Sequence, residues 1–439
     1  MISFDELAAV LKSSSSVDKT GFTPKWADNL ALCTSGTTAT AKILVFNGSA
    51  ITSQLEGFYA VYKKDERIAS ASRPVKSLAF LPMHHILGFI TLCIAYPFLN
   101  TTIVFMKDKA PASIQAACQK IGVTHMVSVP LLINNLKNGV LRKIRSEEPK
   151  KEKLIKLLAL VSVFIQKIAP KKGDAFARKY ITKPVIKKLF GAAFSWICVG
   201  GTHVSVDTLK FMNGLGHVAT IGYGMTECGI IAFESGMQFK RRVDGSTGRL
   251  MFGFEGKIID AEGRDAEVGE LLIRGASMHI GRMQKGEMIP ADIDSSGYLH
   301  TGDIARFDKS SLVIAGRLKE VIVNESGENI YPDELEDNFD NLPLVKKYCV
   351  LGINNKGNDE IALVLEMQDA VNDEHRRYDI SRNVTAANAQ LPVMKQIKHL
   401  FIANEPMPLA NGFKVRRQKL KELLANKSFS VTELPIGAQ

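Results

Sequence analysis

The sequence predicts an α/β protein in two parts. A large N-terminal domain (1–315) combines a mostly parallel sheet, helices and a small β-barrel part, and a small α+β domain (316–439) follows. Three observations carry this reading. Between about residues 76 and 229, apolar runs alternate with helical stretches, the pattern of βαβ units. From Gly248 the texture turns to short strands broken by glycine every few residues (GKIID, GELLIRG, GYLHTGD, SLVIAGR), which suits a small barrel or meander. After Gly316 a new set of strands and a final helix begins, so the domain boundary falls near 315–320.

In order along the chain, Phe4 to Lys12 reads as a short helix and a Ser-rich turn follows. Ala31 to Phe46 (ALCTSGTTATAKILVF) is two apolar runs around a hydroxyl- and glycine-rich loop. Such a loop suits an anion. Its backbone N–H groups and hydroxyls can donate to phosphate oxygens, Gly36 permits close approach, and Lys42 adds a mobile charge. A Thr-rich surface hairpin is the bland alternative. Ser49 to Ala60 reads as a helix. KSLAFLPMHHILGF (76–89) is a strand ended by Pro82, then a loop with two histidines. Ile86 to Phe105 has the length of a membrane span, but Pro97, Asn100, Thr101 and Thr102 interrupt it, so a helix and then the strand 101–106 fit better. Ala112 to Ile121 is a helix and THMVSVP (124–130) a strand. Residues 131–190 are helical and basic. SWICVGG (195–201) is a buried strand entering a Gly-Gly turn, and HVATIGYGMTECG (217–229) is a strand followed by a polar loop. YCVLGI and EIALVLEM are strands of the last unit, and Val415 to Ala425 is its closing helix.

Composition narrows the function classes. Apolar content of 46% and charged content of 23% are ordinary for a globular enzyme. Six scattered cysteines without a CxxC pair speak against a disulfide framework or a zinc site and suit a reducing cytoplasm. The N-terminus carries no secretory signal pattern. The net charge of +11 is local: Arg142 to Lys188 holds 15 Lys/Arg against 4 Asp/Glu, and the remainder, with 41 of each, is neutral. Such a patch favours an anionic partner: a membrane surface, a phosphate-bearing cofactor or an acidic carrier protein. A solvated helical face is the plain reading. The segment's three aromatics, Phe164, Phe176 and Tyr180, are too sparse for a base-stacking platform, so nucleic acid is not expected.

Five further stretches stand beside the hydroxyl-rich loop: LPMHHILG (81–88), GYGMTE (222–227), GYLHTGD (297–303), GRLKEVIVNESGENIYPDELE (316–336) and NGFKVRR (411–417). Their order and spacing resemble the core motifs of the AMP-forming acyl-CoA synthetase superfamily, and the basic helical segment with ENIYPDELE is most similar to the long-chain fatty acyl-CoA synthetase branch. The resemblance covers essentially the whole chain. It implies activation of a carboxylate by ATP and Mg²⁺ to an acyl-adenylate, then transfer to a thiol, with a C-terminal domain that rotates between the half-reactions. Attack on the α-phosphorus builds negative charge, which asks for cations and donors aimed at it.

Residue by residue, the resemblance implies that Thr34, Ser35, Gly36, Thr37, Thr38 and Lys42 hold the β- and γ-phosphates. Tyr223, Gly224, Met225 and Thr226 form the adenine and α-phosphate segment, and Glu227 is the Mg²⁺-associated glutamate. Asp303 binds both ribose hydroxyls, for which one carboxylate has enough acceptor sites; a turn cap is its plain alternative. Arg317 is a second ribose and phosphate contact. Lys319 sits at the hinge, where an ordinary surface lysine would serve equally. His85 lies near the acyl and thiol path, with His84 as rival and a core histidine as the alternative for either. Lys414 is the catalytic lysine bridging carboxylate and α-phosphate. Gly200, Gly201 and Thr202 line the acyl pocket, and Gly327 lies where the pantetheine arm passes.

The sequence departs from the family pattern in three places. Ala39 and Ala41 stand where glycine and proline are usual; alanine at positive φ costs about 1–2 kcal/mol. NGFK places Phe413 between Gly412 and Lys414, so the spacing to Arg417 is what assigns the lysine. About 33 residues precede the phosphate loop, far short of another pair of βαβ units. Two readings follow: a compact or split form whose missing part comes from a second chain, or a shortened form with unpaired sheet edges and reduced activity. The expected reaction is ATP-dependent activation of a long- or medium-chain fatty acid with Mg²⁺ and transfer to coenzyme A. The rivals are transfer to the phosphopantetheine thiol of an acyl carrier protein, and a non-catalytic adenylate-binding remnant. The basic segment 142–188 would suit peripheral membrane contact or the carrier.

Overall fold

A computed structural model of the chain describes residues 28–33, 42–64, 74–106, 108, 110–147, 149–177, 179–181, 190–191, 193–201, 203–235, 239–324, 328–340, 342–355, 358–368, 374–410 and 414–436. The expected helix at Phe4 to Lys12 lies outside these.

The centre is a seven-stranded sheet in the order β4-β3-β5-β6-β7-β8-β9. Its strands are β3 (Lys76–Leu78), β4 (Thr102–Val104), β5 (His125–Ser128), β6 (Trp196–Val199), β7 (Val218–Met225), β8 (Gly229–Phe233) and β9 (Arg249–Leu250). The five strands from β4 to β7 run parallel, β8 runs antiparallel to β7, and β9 runs antiparallel to β8. Both faces are covered, so β5 and β6 are buried at every position. Alternation sorts β6 between two cores: Ile197 and Val199 join one cluster, Trp196 and Cys198 the other.

The helices are α1 (Gly48–Lys64), α2 (Pro111–Lys120), α3 (Pro130–Glu147), α4 (Pro149–Ile168), α5 (Pro170–Ala177) and α6 (Val206–Gly214). A further helical stretch, 86–98, contains a π-helical section Phe89–Ala95, and the expected strand after it is the shorter β4. Helix α6 begins at a Ser205 cap whose hydroxyl accepts from the Thr208 N–H.

The β-rich part is shared between two sheets. Strands β10 (Phe254–Ile259), β11 (Val268–Gly275), β14 (Leu299–Asp308) and β15 (Ser311–Arg317) form an antiparallel meander. The hairpin β12 (Gly281–Gln284) and β13 (Glu287–Pro290) does not join it to close a barrel. It pairs instead with β2 (Ile43–Asn47), itself antiparallel to β1 (Asn29–Cys33). The strands flanking the hydroxyl-rich loop are thereby tied to a hairpin more than two hundred residues downstream.

Two short strand pairs, β16 (Ile322–Val323) with β17 (Asn329–Ile330) and β21 (Leu409–Ala410) with β22 (Lys414–Val415), accompany the last unit, which packs β18 (Val345–Asn355), β19 (Asn358–Met367), β20 (His399–Ala403) and β23 (Val431–Leu434) against helices α7 (Pro332–Glu336), α8 (Glu374–Asn388) and α9 (Arg417–Ala425). The sequence places the start of α9 at Val415. In the structure Lys414–Val415 is a short strand, β22, paired with Leu409–Ala410, and the helix follows.

Candidate active site

The parallel strands end on one edge, where a cleft of about 1690 Å³ opens toward the meander and the turn at Leu318–Glu320. One end is polar, with Lys42, Thr226, Glu227, His279, Arg317 and Lys319 on its walls. The other is an apolar arm between β5, β6 and the stretch 86–98, lined by Phe80, Tyr96, Leu99, Val127, Val129 and Trp196.

The polar end is built on β7 and β14. Strand β7 leaves the parallel sheet at Gly222 and turns back as a hairpin with β8, carrying Tyr223, Gly224 and Met225 along the cleft. Gly224 lies so close to the returning strand that a Cβ would stand 2.3 Å from the Gly229 carbonyl oxygen. Asp303 and Arg317 face each other directly across the β14–β15 ladder, with Arg317 Nε 3.2 Å from Asp303 Oδ1. The Tyr223 hydroxyl donates to Asp303 Oδ2 at 2.7 Å. Burial, and then the Asp303 carboxylate, push the Tyr223 phenol well above its ordinary range, so it stays a donor. Asp303 itself is only 5% exposed.

The turn 226–228 is held from behind by residues that carry no motif. Gln54 of α1 is buried; its amide nitrogen donates to the Cys228 and Ile230 carbonyls and to Ser277 Oγ, and its oxygen accepts from the Ile230 N–H at 2.9 Å. His279 donates its backbone N–H to the Glu227 carbonyl at 2.8 Å, and its ring lies 3.2 Å from the same oxygen. Burial lowers the His279 pKa, and nearby Lys42 and Arg282 lower it further. The neighbouring Ile280 N–H reaches the Val45 carbonyl, which brings Lys42 and Glu227 to one wall.

His85 lines the cleft, whereas the adjoining His84, its ring centroid 4.3 Å away, is exposed and does not. Gly200 and Gly201 also line it, and Gly201 holds φ at +95°. Thr34, Ser35, Gly36, Thr37, Thr38, Thr202 and Gly327 lie outside the described residues, as does the side chain of Lys414, whose backbone pairs with Ala410.

The attachments of the chain change hands around Leu318. Arg317 is the last residue of β15 and holds to Asp303. Two residues on, the Lys319 carbonyl accepts from Gln418 at 2.5 Å, and Glu320 pairs with Arg417, both in α9. Arg417 is buried among Glu320, Asp333 and Glu336 and donates to the Val350 carbonyl. Across the cleft edge, His203 Nε2 meets Asp337 Oδ1 at 2.7 Å. Neither Gln54, His279 nor His203 carries a signal in the sequence. Each matters through partners between 52 and 223 residues away in the chain.

The fit to a nucleotide and a divalent cation can be judged from these donors. The Asp303 carboxylate, held in place by Arg317 and the Tyr223 hydroxyl, is the type of acceptor that a vicinal diol needs. Among the described residues no cluster of three metal-ligating side chains occurs. A lone glutamate beside a phosphate site is nonetheless how Mg²⁺ is commonly held, with the substrate phosphates and water supplying the rest.

The chain belongs to the AMP-binding enzyme family, whose model matches residues 4–281, while the model of the AMP-binding enzyme C-terminal domain matches 319–427. It is 27% identical over 282 residues to acyl-CoA synthetase 7 of Caenorhabditis elegans, across 63% of this chain and 50% of that protein. It is also 27% identical over 367 residues to long-chain-fatty-acid–CoA ligase 4 of Saccharomyces cerevisiae, across 81% of this chain and 50% of the relative. The chain thus spans about half the length of these curated relatives. Among solved structures, O-succinylbenzoate coenzyme A synthetase from Bacillus subtilis in complex with ATP and magnesium shares the fold. The TM-score is 0.62 at 20% identity, over 89% of this chain and 69% of that one.

Proposed function

We propose that this chain activates a fatty carboxylic acid with ATP, releasing pyrophosphate, and passes the acyl group from the adenylate to the thiol of coenzyme A. The observation that carries the reading is one continuous cleft with a charged end built on Tyr223, Glu227 and Arg317 and an apolar arm ending at Trp196 and Tyr96. The names of the curated relatives support the same chemistry.

In this reading Asp303 accepts both ribose hydroxyls, steadied by Arg317 and the Tyr223 hydroxyl, and the Tyr223–Met225 strand flanks the adenine. Thr34, Ser35, Gly36, Thr37, Thr38 and Lys42 take the β- and γ-phosphates, and Thr226 meets the α-phosphate. Glu227 would hold Mg²⁺, which supplies charge neutralisation along the phosphates when bound. Lys414 bridges the attacking carboxylate and the α-phosphate, balancing charge as it develops. His85 guards the route of the acyl group and thiol, with Gly200, Gly201 and Thr202 beside the acyl chain and Gly327 beside the pantetheine arm. The boundary between the units falls at 315–316. The exchange of attachments between Arg317 and Lys319 supports a hinge there, which would withdraw Lys414 before the thiol arrives.

The test is pyrophosphate exchange over a panel of fatty acids, followed by thiol transfer to coenzyme A or to acyl carrier protein. Exchange with medium or long acids and thioester formation on coenzyme A are expected. A folded chain that binds ATP but exchanges with no acid would overturn the enzyme reading. Lys414→Ala is expected to lower exchange by about 10²–10³; unchanged exchange would remove that lysine from the chemistry.

A further inference from the structure

Helix α4 shows two faces that its sequence, apolar nearly throughout, does not separate. The inner face is locked onto α6. Ile155, Ala159 and Val163 are buried, and Gln166 donates to Ser162 Oγ at 2.9 Å and to the Asn213 carbonyl at 3.0 Å. Gly214 of α6 sits so close to the Ala159 carbonyl that a Cβ there would lie 2.8 Å from it. This buried polar lock decides which way the helix is turned.

The outer face is therefore set as well. Leu154, Leu157, Leu160, Val161, Phe164 and Ile168 are exposed, Leu160 and Phe164 at 64% and Ile168 at 71%. They recur every three or four residues and form a ridge about 21 Å long at 1.5 Å per residue. No other α-helix among the described residues exposes more than one large apolar side chain. The lysines that accompany the ridge, Lys153, Lys156 and Lys167, are exposed, as are Lys172 and Lys179 just beyond it. Lys156 pairs with Glu152, whereas Lys153, Lys167 and Lys172 have no acidic partner among the described residues.

We propose that α4 is an interfacial docking helix for an anionic lipid bilayer. The apolar ridge beds into the headgroup boundary and the lysines meet lipid phosphates. Charge complementarity argues for this occupant. The segment 142–188 carries the chain's whole surplus of +11, so a second copy would set two strongly positive faces against each other. The ridge is convex and presents no polar side chain along its crest, which suits a fluid apolar layer. Among the described residues no helix is long and apolar enough to cross a membrane, so the contact is with the surface. The first turns of α3, which packs against α4, line the apolar arm of the cleft through Leu132 and Asn135. A lipid surface would then supply fatty acid close to its site.

The experiment is flotation of the full chain, without substrates, with phosphatidylcholine vesicles and with the same vesicles containing phosphatidylglycerol. Its outcome is independent of the ligase reading. Salt-sensitive binding to the anionic vesicles is expected, weakened at least about tenfold by Leu157→Ser, Leu160→Ser and Phe164→Ser together. Because these side chains are exposed, the fold is expected to survive, which circular dichroism checks. As a second reading, the emission of Phe164→Trp should shift to the blue with anionic vesicles alone. Failure of the unmodified chain to float, equal flotation of the triple variant, or an unshifted Phe164→Trp spectrum would each overturn the proposal. So would a dimer that the triple variant abolishes, since the ridge would then be covered by a second copy.

Discussion

Asp303 and Arg317 meet because they are cross-strand partners, and Tyr223 reaches the same carboxylate from a different sheet. Three residues scattered over about a hundred positions thus form one polar unit. Asp303→Asn keeps the shape but removes the charge, leaving Arg317 without its partner. We expect ATP affinity to fall by roughly 1.5–3 kcal/mol, the range for a hydrogen bond to a charged group. Calorimetric titration measures it, and an unchanged dissociation constant would take Asp303 out of the nucleotide site. Gln54 acts at one remove, since it touches the chain behind the Glu227 turn. Gln54→Leu strands the Ile230 N–H in the interior, while the Cys228 carbonyl keeps its bond from the Ser277 hydroxyl. A loss of about 2–3 kcal/mol in urea unfolding is expected, and a midpoint equal to that of the unmodified chain would show that water replaces the amide.

At the scale of elements, the β7–β8 hairpin decides whether the site exists. It redirects the chain from a parallel strand into the cleft, and it closes tightly only because Gly224 has no side chain. Gly224→Ala forces the two strands apart or the backbone to shift. Overpacking of this kind typically costs 1–3 kcal/mol. A fall in thermal midpoint together with loss of pyrophosphate exchange is the expected pair of results. An alanine variant that keeps both would mean the hairpin has slack that the 2.3 Å approach does not suggest.

For the molecule as a whole, the interesting contact is His203 with Asp337, which joins the cleft edge to the C-terminal domain. Burial works against the charged imidazole, but Asp337, with Asp333 and Glu336 behind it, outweighs burial and pushes the His203 pKa up to about 9. The folded value lies above the ordinary one, so the contribution to docking is fully present below about pH 6.5. It is lost as pH rises through about 9. A pair of dyes on the two domains should therefore report looser docking between those limits, by on the order of 1 kcal/mol for a pair that solvent still reaches. His203→Ala should flatten that response, and a response of the same size in the variant would assign it to other groups.

Much of this protein was legible in its residues. The βαβ alternation, the family motifs in their order and the locality of the positive charge follow from spacing and composition, because period and turn chemistry are local properties. The hydroxyl-rich loop and the side chain of Lys414 were read there alone. What local properties cannot carry is which distant segments meet. The pairing of β12 with β2, the support of the Glu227 turn by Gln54 and His279, and the choice of His85 over His84 at the cleft depend on chain crossings set by the sheet order. The same holds for α4. Its sequence is apolar on nearly every side, and only the buried lock of Gln166, Ser162 and Asn213 fixes which stripe the fold consumes and which it leaves to solvent.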